Sequence, residues 1–209
     1  MGRTSDARDR LIEAGIALLW QHGFAGVSVD QLCEAAGVKK GSFYHFFPGK
    51  EELALAALET HWERRRPVLD ASFSPSLPPL ERFERYFASI VERQRELKAE
   101  TGHVLGCFYF SFGSACLEHP RIAARVQEIV ATYERYYESA LRDAQSRGLV
   151  EVRDPAEKAH SLFTYMEGLM ADARIRNSTD SLLHLPRLAF EFLGLDPRRG
   201  AKHQATSQR

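Results

Sequence analysis

Ser28-Val29-Asp30-Gln31-Leu32-Cys33-Glu34-Ala35-Ala36-Gly37-Val38-Lys39-Lys40-Gly41-Ser42-Phe43-Tyr44-His45-Phe46-Phe47 reads as two short helices joined by a tight turn. Ser28 with Gln31 forms the S-x-x-Q version of a capping box. Leu32 with Ala35 or Ala36 supplies a buried stripe, with Val29 behind it. Gly37 provides the positive φ that ends the first helix and turns the chain sharply. Val38 anchors the turn, and Lys39 to Phe46 make about two turns of a second helix. Phe43 and Phe46 or Phe47 point inward, leaving Lys39, Lys40, Ser42, Tyr44 and His45 on the outer faces. Pro48-Gly49 stops this helix, and Lys50-Glu51-Glu52-Leu53 opens the next with acidic groups where the helix dipole favours them. That is the geometry with which a protein lays one helix into the DNA major groove.

Charge supports this reading locally and not globally. Lys+Arg 28 balance Asp+Glu 28, so no net field attracts nucleic acid. From Ala35 to Lys50, however, Lys39, Lys40 and Lys50 stand without an acidic residue among them. Phosphate neutralisation would concentrate on that patch.

The segment from about Ala7 to Leu58 resembles the DNA-binding domain of the tetracycline-repressor (TetR) family. The resemblance rests on Arg10-Leu11-Ile12-Glu13-Ala14-Gly15, Leu18-Leu19, His22-Gly23-Phe24, Val27-Ser28-Val29, Ala35 to Phe47 and Lys50-Glu51-Glu52-Leu53. It implies that Tyr44 and Lys50 hold phosphates, that Lys39, Lys40, Ser42 and His45 face bases or backbone, and that Gly41 permits close approach to the groove. With Ser28 at the start of the motif, the expected DNA-binding set is Ser28, Lys39, Lys40, Gly41, Ser42, Tyr44, His45 and Lys50. Phe43 stands where the family often has leucine and keeps the inward apolar role.

The spacing is helical along nearly the whole chain and no alternating strand stands out, so an all-α fold is expected. It comprises an N-terminal three-helix helix-turn-helix domain (1–50), a connecting helix (50–66) and a C-terminal helical bundle with dimerisation helices (67–196). Residues 67–79, with prolines at 67, 75, 78 and 79, read as a loop. Leu80, Phe83, Phe87, Ile90 and Leu97 stripe the next helix, and Gly106–Glu118 reads as another after the Thr101-Gly102 break. A long helix to Gly148 carries Ile122, Val126, Ile129, Tyr133, Tyr137, Ala140 and Ala144. Asp154-Pro155 starts a helix as N-cap and first residue, and a final helix carries Leu185, Leu188, Phe192 and Leu195. Residues 197–209 read as a disordered tail. No run of about 18 apolar residues and no signal segment is present. A cytoplasmic protein with no membrane partner is therefore expected. Three cysteines without a C-x-x-C pair argue against a disulfide framework.

Residues 155–176 and 181–195 have broad apolar faces with Ala159, Gly168, Ala171 and Ala173 among them, so a homodimer through residues 155–195 is expected. A two-fold pair would set two recognition helices about 34 Å apart on a palindromic operator. The middle of the chain is rich in rings, which suits an unidentified small apolar or aromatic effector. Its candidate contacts are Tyr86, Phe87, Cys107, Phe110, Tyr133, Tyr137, Phe163 and Met166. By resemblance, a ligand there would shift the connecting helix and change the separation of the DNA-reading heads. Gly106-Cys107-Phe108 also resembles the Gly-Cys-Leu helix start of a family subgroup whose cysteine senses electrophiles or oxidants. A thiol sensor and a constitutive DNA-binding protein are thus the alternatives. No cofactor, metal or catalytic activity is expected: the eight histidines form no ligand spacing, and neither a Gly-rich phosphate loop nor G-x-S-x-G occurs. Glu167 and His160 lie near one another on one helix and are expected to satisfy each other or face the dimer seam.

Overall fold

The computed structural model describes residues 2–113 and 115–195, with side chains from Asp6 onward. The regular elements among them are helices: α1 Gly2–His22, α2 Val29–Ala36, α3 Lys40–Phe46, α4 Lys50–Ser72, α5 Pro79–Thr101, α6 Pro120–Ser146, α7 Pro155–Arg176, α8 Asp180–Leu183 and α9 Leu185–Leu193. The chain divides into two compact units. The first joins the residues up to Arg66 with Cys107–Val130, and the second joins Pro67–Gly106 with the residues from Ala131 on. The expected tail lies outside the described residues. None of the described helices is long and apolar enough to cross a membrane.

In the first unit, α1 buries Leu11, Ile12, Leu19 and Trp20 on one side, at the spacing of a single helical face. Residues 107–130, expected within the C-terminal domain, pack here for identifiable reasons. The Phe108 ring lies 5.4 Å from Trp20 and 4.3 Å from His61, and His61 Nδ1 meets the Tyr109 hydroxyl at 3.1 Å. Arg125 bridges to Glu59 on α4 at 2.7 Å. Gly106–Glu118 is not an α-helix. It holds two short 3₁₀ turns, Tyr109–Phe112 and Ala115–Leu117, with Phe108, Tyr109 and Phe112 buried.

The expected loop from 67 to 79 is likewise corrected: α4 runs through Pro67 to Ser72. Proline removes only one donor, and burial of Leu69 (0% exposed) and Phe73 (6%) keeps the helix going past it. The single helix expected over 181–195 is two, α8 and α9, broken at His184, with Pro186 at the start of α9 where its missing N–H costs nothing.

The second unit is tied by polar side chains acting on backbone. Arg82, 1% exposed, pairs with Asp143 at 2.6 Å and donates to the carbonyls of Leu77 and Pro75. Gln94 grips Gly106 from both sides, donating to its carbonyl (3.0 Å) and accepting from its N–H (2.9 Å). Asn177, the left-handed C-cap of α7, accepts from Val104 N–H and donates to Gly102 C=O. Gly106 has φ +68, and a Cβ there would stand 3.3 Å from the Met170 carbonyl, so both conformation and space demand glycine. Replacing Gln94 with leucine removes both of its buried hydrogen bonds to the Gly106 backbone. Urea unfolding should show a loss of about 2–4 kcal/mol.

Candidate nucleic-acid interface and effector site

The capping box forms as the sequence requires. Ser28 Oγ accepts from Gln31 N–H at 3.2 Å, and Gln31 Oε1 accepts from Ser28 N–H at 2.8 Å. Leu32, Cys33 and Ala36 are the buried residues of α2. Gly37 takes φ 62 and ψ 40, and the N–H of Val38 closes back on Cys33 C=O at 2.9 Å. The helix α3 starts one residue later than expected, with Lys39 as an extended N-cap. Phe43 is 0% exposed and Phe47 3%, with Phe46 only half-buried, which decides between the two inward candidates. Phe43 inside the helix and Phe47 at its extended C-cap together fix the roll of this short helix. Lys39, Lys40, Gly41, Tyr44 and His45 are thereby exposed, and Ser42 is half-buried. A Cβ on Gly41 would meet nothing within 4 Å, so the surface there is open.

Two of the three lysines in the local basic patch are engaged elsewhere. Lys40 Nζ lies 2.8 Å from Asp30, whose hydrogen bond raises the lysine's pKa. Asp30 escaped the charge count from Ala35 to Lys50 because it sits ten residues upstream, where the α2–α3 turn brings it back. Lys50, expected to hold a phosphate, donates to the carbonyls of Phe24 (2.7 Å) and Val27 (2.8 Å) with its ammonium 4.1 Å from the centre of the Phe24 ring. Burial pushes its pKa down. Two of its three N–H donors are thus spent joining the loop after α1 to the start of α4. Ser28 is likewise engaged in its cap. The outward set facing away from the protein is therefore Lys39, Ser42, Tyr44 and His45, with Gly41 between them.

Sequence reasoning did not single out two arginines of α1. Arg8 lies over the Phe47 ring at 5.6 Å, and Arg10 comes within 3.8 Å of where a Cβ on Gly37 would stand. Both are exposed and sit beside the motif. Only the packing of α1 beside the motif could reveal this, since Arg8 and Phe47, like Arg10 and Gly37, are far apart in the chain. Glu51 and Glu52 at the head of α4 bind His119 (3.1 Å) and Arg121 (2.9 Å), so the start of α4 is also held by the 107–130 segment.

The effector candidates divide. Tyr86, Phe87, Tyr133, Tyr137, Phe163 and Met166 come together in the second unit, all at or below 5% exposure. Cys107 and Phe110 belong to the first unit, and Phe110 is 52% exposed. Cys107 precedes a short 3₁₀ turn, so the helix start implied for it by resemblance is absent and no helix dipole acts on its thiol. Phe73, assigned to the proline loop by sequence, is a hub. Its ring lies 5.3–5.7 Å from Phe83, Tyr86, Tyr136 and Tyr137. His160 bonds Glu134 at 2.7 Å, so it does not pair with Glu167, which stays buried at 7% exposure. Glu167 and His160 are seven residues apart on α7, but His160 is exposed and Glu167 faces inward.

Lys50→Met keeps the packing over Phe24 but strips both carbonyls of their donor. Thermal and urea melts should show a loss of about 1–3 kcal/mol, whereas Lys39→Ala should leave stability within about 0.5 kcal/mol of the parent.

Residues 11–57 match the family described as bacterial regulatory proteins, tetR family, and residues 79–188 match the tetracyclin repressor-like C-terminal domain. The chain is similar to the transcriptional regulator AcuR of Cereibacter sphaeroides, 32% identical over 84% of this chain and 80% of that one. It is also similar to the transcriptional repressor DhaR of Mycobacterium sp. (strain GP1), 26% identical over 92% and 94%. A solved regulatory protein TetR from Rhodobacter sphaeroides superposes with a TM-score of 0.78 at 29% identity, covering 89% of this chain and 98% of that one. With its helix-turn-helix and both domain matches in place, this chain belongs to the tetR family of bacterial regulatory proteins.

Proposed function

We propose that the protein is a ligand-responsive repressor that binds a palindromic operator as a homodimer. The observation carrying the DNA side is the outward row of α3, Lys39, Ser42, Tyr44 and His45, backed by a phenylalanine with no exposed surface. A helix rolled so that its rings are inside and its donors outside presents hydrogen-bonding groups to base edges and phosphates. Tyr44, half-exposed and edge-on to Phe43 at 5.3 Å, points a hydroxyl outward from a rigid base. Lys39 carries the uncommitted cation of the lysine trio and takes a phosphate. Ser42 and His45 face the bases. Lys40 and Lys50 contribute field and framework.

Dimerisation rests on α7. Thr164, Gly168, Ala171 and Ile175 recur at spacings of four, three and four, and all are exposed, Ile175 at 84%. Ala159 and Ala173, also expected at the seam, are fully buried within the chain. A Cβ on Gly168 would meet nothing within 4 Å. An exposed stripe with glycine at its centre and an apolar residue at its end suits a second helix at close distance, with α8 adding the 46%-exposed Leu183. The effector acts through the ring cluster of the second unit, and changes DNA affinity only so far as it prefers one conformational state.

Electrophoretic mobility shift with the DNA upstream of the protein's own gene, over a stated salt series, tests the first claim. Lys39→Ala should lower affinity on all sequences and reduce the log–log salt slope by about 1, while Ser42→Ala should change preference at one base position. Equal effects on specific and random DNA from both variants would contradict the assignment. Gly168→Leu should leave the melting curve of the isolated chain nearly unchanged and convert the dimer to monomer by light scattering. A dimer that survives it does not pack through this face of α7.

A further inference from the structure

An acidic side chain stands at the edge of the recognition helix. Asp30 lies in the first turn of α2, two residues after the Ser28 cap, where the helix dipole favours a carboxylate. Lys40 is the first residue of α3. The left-handed Gly37 turns the chain between the two helices, and the Lys40 ammonium comes 2.8 Å from Asp30 Oδ1. Both side chains stay open to solvent, 54% exposed for Lys40 and 72% for Asp30. Tyr44 follows Lys40 by one turn of α3 and also acts on its charge, so Lys40 lies on the face that carries Tyr44. The pair therefore sits on the outward side of the motif and not in the core behind it.

Folding stability does not account for this pair, because exposed ion pairs contribute little in water. It matters for what Lys40 can offer a duplex. Phosphates line B-DNA at about one negative charge per 1.7 Å of axis, and a lysine that neutralises one of them releases a condensed counterion. So dense a field overcomes a single exposed carboxylate, and Lys40 passes to the backbone when the duplex arrives. Asp30 then loses its cation and is left as an anion beside phosphates, where like charges repel. It retains a counterion as Lys40 releases one, so the pair adds nothing to the salt dependence of binding. None of this depends on base sequence, since phosphate contacts carry no sequence information. The first helix of a helix-turn-helix crosses the DNA backbone, which sets Asp30 of α2 toward phosphate oxygens and not toward base edges.

We infer that Asp30 is an internal competitor for phosphate: it holds the Lys40 ammonium in the free protein, yields it to the DNA backbone on binding, and so weakens binding to every duplex sequence alike. This rests on the DNA-binding reading above and adds a residue that the outward row of α3 does not contain. Lys39, Ser42, Tyr44 and His45 bring the protein onto DNA, and Asp30 limits how firmly it is held there. A regulator meets a vast excess of non-specific sites for each operator. With every lysine of the motif uncommitted, it would be retained on all of them more strongly. A carboxylate that subtracts the charge of one lysine lowers this sequence-independent attraction and leaves the base contacts as they are.

Fluorescence anisotropy of the full-length protein on two labelled duplexes tests this, each titrated from about 50 to 200 mM salt. One duplex is the DNA upstream of the protein's own gene, the other a scrambled sequence of equal length. Asp30→Asn should bind both roughly threefold or more tightly than the parent at low salt, by the same factor on each, with a log–log salt slope steeper by about 1. Asp30→Glu, which keeps the charge, should stay within about twofold of the parent. Lys40→Gln should cost at least about twofold more affinity in the Asp30→Asn protein than in the parent. Weaker binding by Asp30→Asn, the result expected if the carboxylate only steadies α2, overturns the proposal. A gain confined to one duplex, or an equal cost of Lys40→Gln in both backgrounds, does the same. If Asp30→Asn fails to fold, Lys40→Gln decides: it should weaken both duplexes alike and flatten the slope by about 1, and an unchanged slope refutes the exchange. The parent protein keeps the two readings apart. Preference for the upstream duplex with no response to Asp30→Asn refutes only the role of Asp30, whereas a parent that binds neither duplex refutes DNA binding itself.

Discussion

Burial of Phe43 and Phe47 is the constraint on which the DNA-reading surface depends. A seven-residue helix has no stability of its own in water, because nucleation costs more than its few hydrogen bonds return. It exists here because the Phe43 ring within it and the Phe47 ring at its C-cap, 0% and 3% exposed, anchor it to the rest of the first unit. Fully burying rings of this size contributes on the order of 2–3 kcal/mol each. That burial sets the roll of the helix, and the roll decides which side chains are presented outward. Gly37 and the Ser28 capping box serve the same end by fixing where the preceding helix begins and stops.

A second constraint is where positive charge goes once the chain has folded. Lys50 is held by two carbonyls and a ring and Lys40 by Asp30, which leaves Lys39 as the one lysine of the trio without such a commitment among the described residues. Arg8 and Arg10 are brought to the same region from α1. The field at the motif is therefore built from two distant parts of the chain. In the same unit, Glu51, Glu52 and Glu59 of α4 take His119, Arg121 and Arg125, adding ion pairs to the buried face of Leu53, Ala54, Ala57 and Leu58. Such pairs are individually weak.

The second unit works differently. Its loop from Gly102 to Gly106 is pinned by Gln94, Arg174 and Asn177 through backbone groups, a rigid frame around a cluster of closely packed rings.

Much of this was legible in the residues. The capping box, the Gly37 turn, the Asp154-Pro155 start of α7 and the inward phenylalanine at 43 are set by local rules that act over three or four positions, so reading them needs no tertiary information. The apolar stripe of α6 was visible for the same reason. What the sequence could not disclose were outcomes decided by distant neighbours. Pro67 reads as a helix breaker, yet burial of Leu69 and Phe73 outweighs one missing hydrogen bond. Lys50 looks like a phosphate ligand until two carbonyls 23 and 26 residues upstream capture it. Asp30 lies outside any window drawn around Lys40 and still neutralises it. Local periodicity determined the helices and the recognition motif, because a helix is a short-range object. Only the tertiary structure decided which lysines of the motif are already paired, because partners for charges and donors are assigned across the fold, not along the chain.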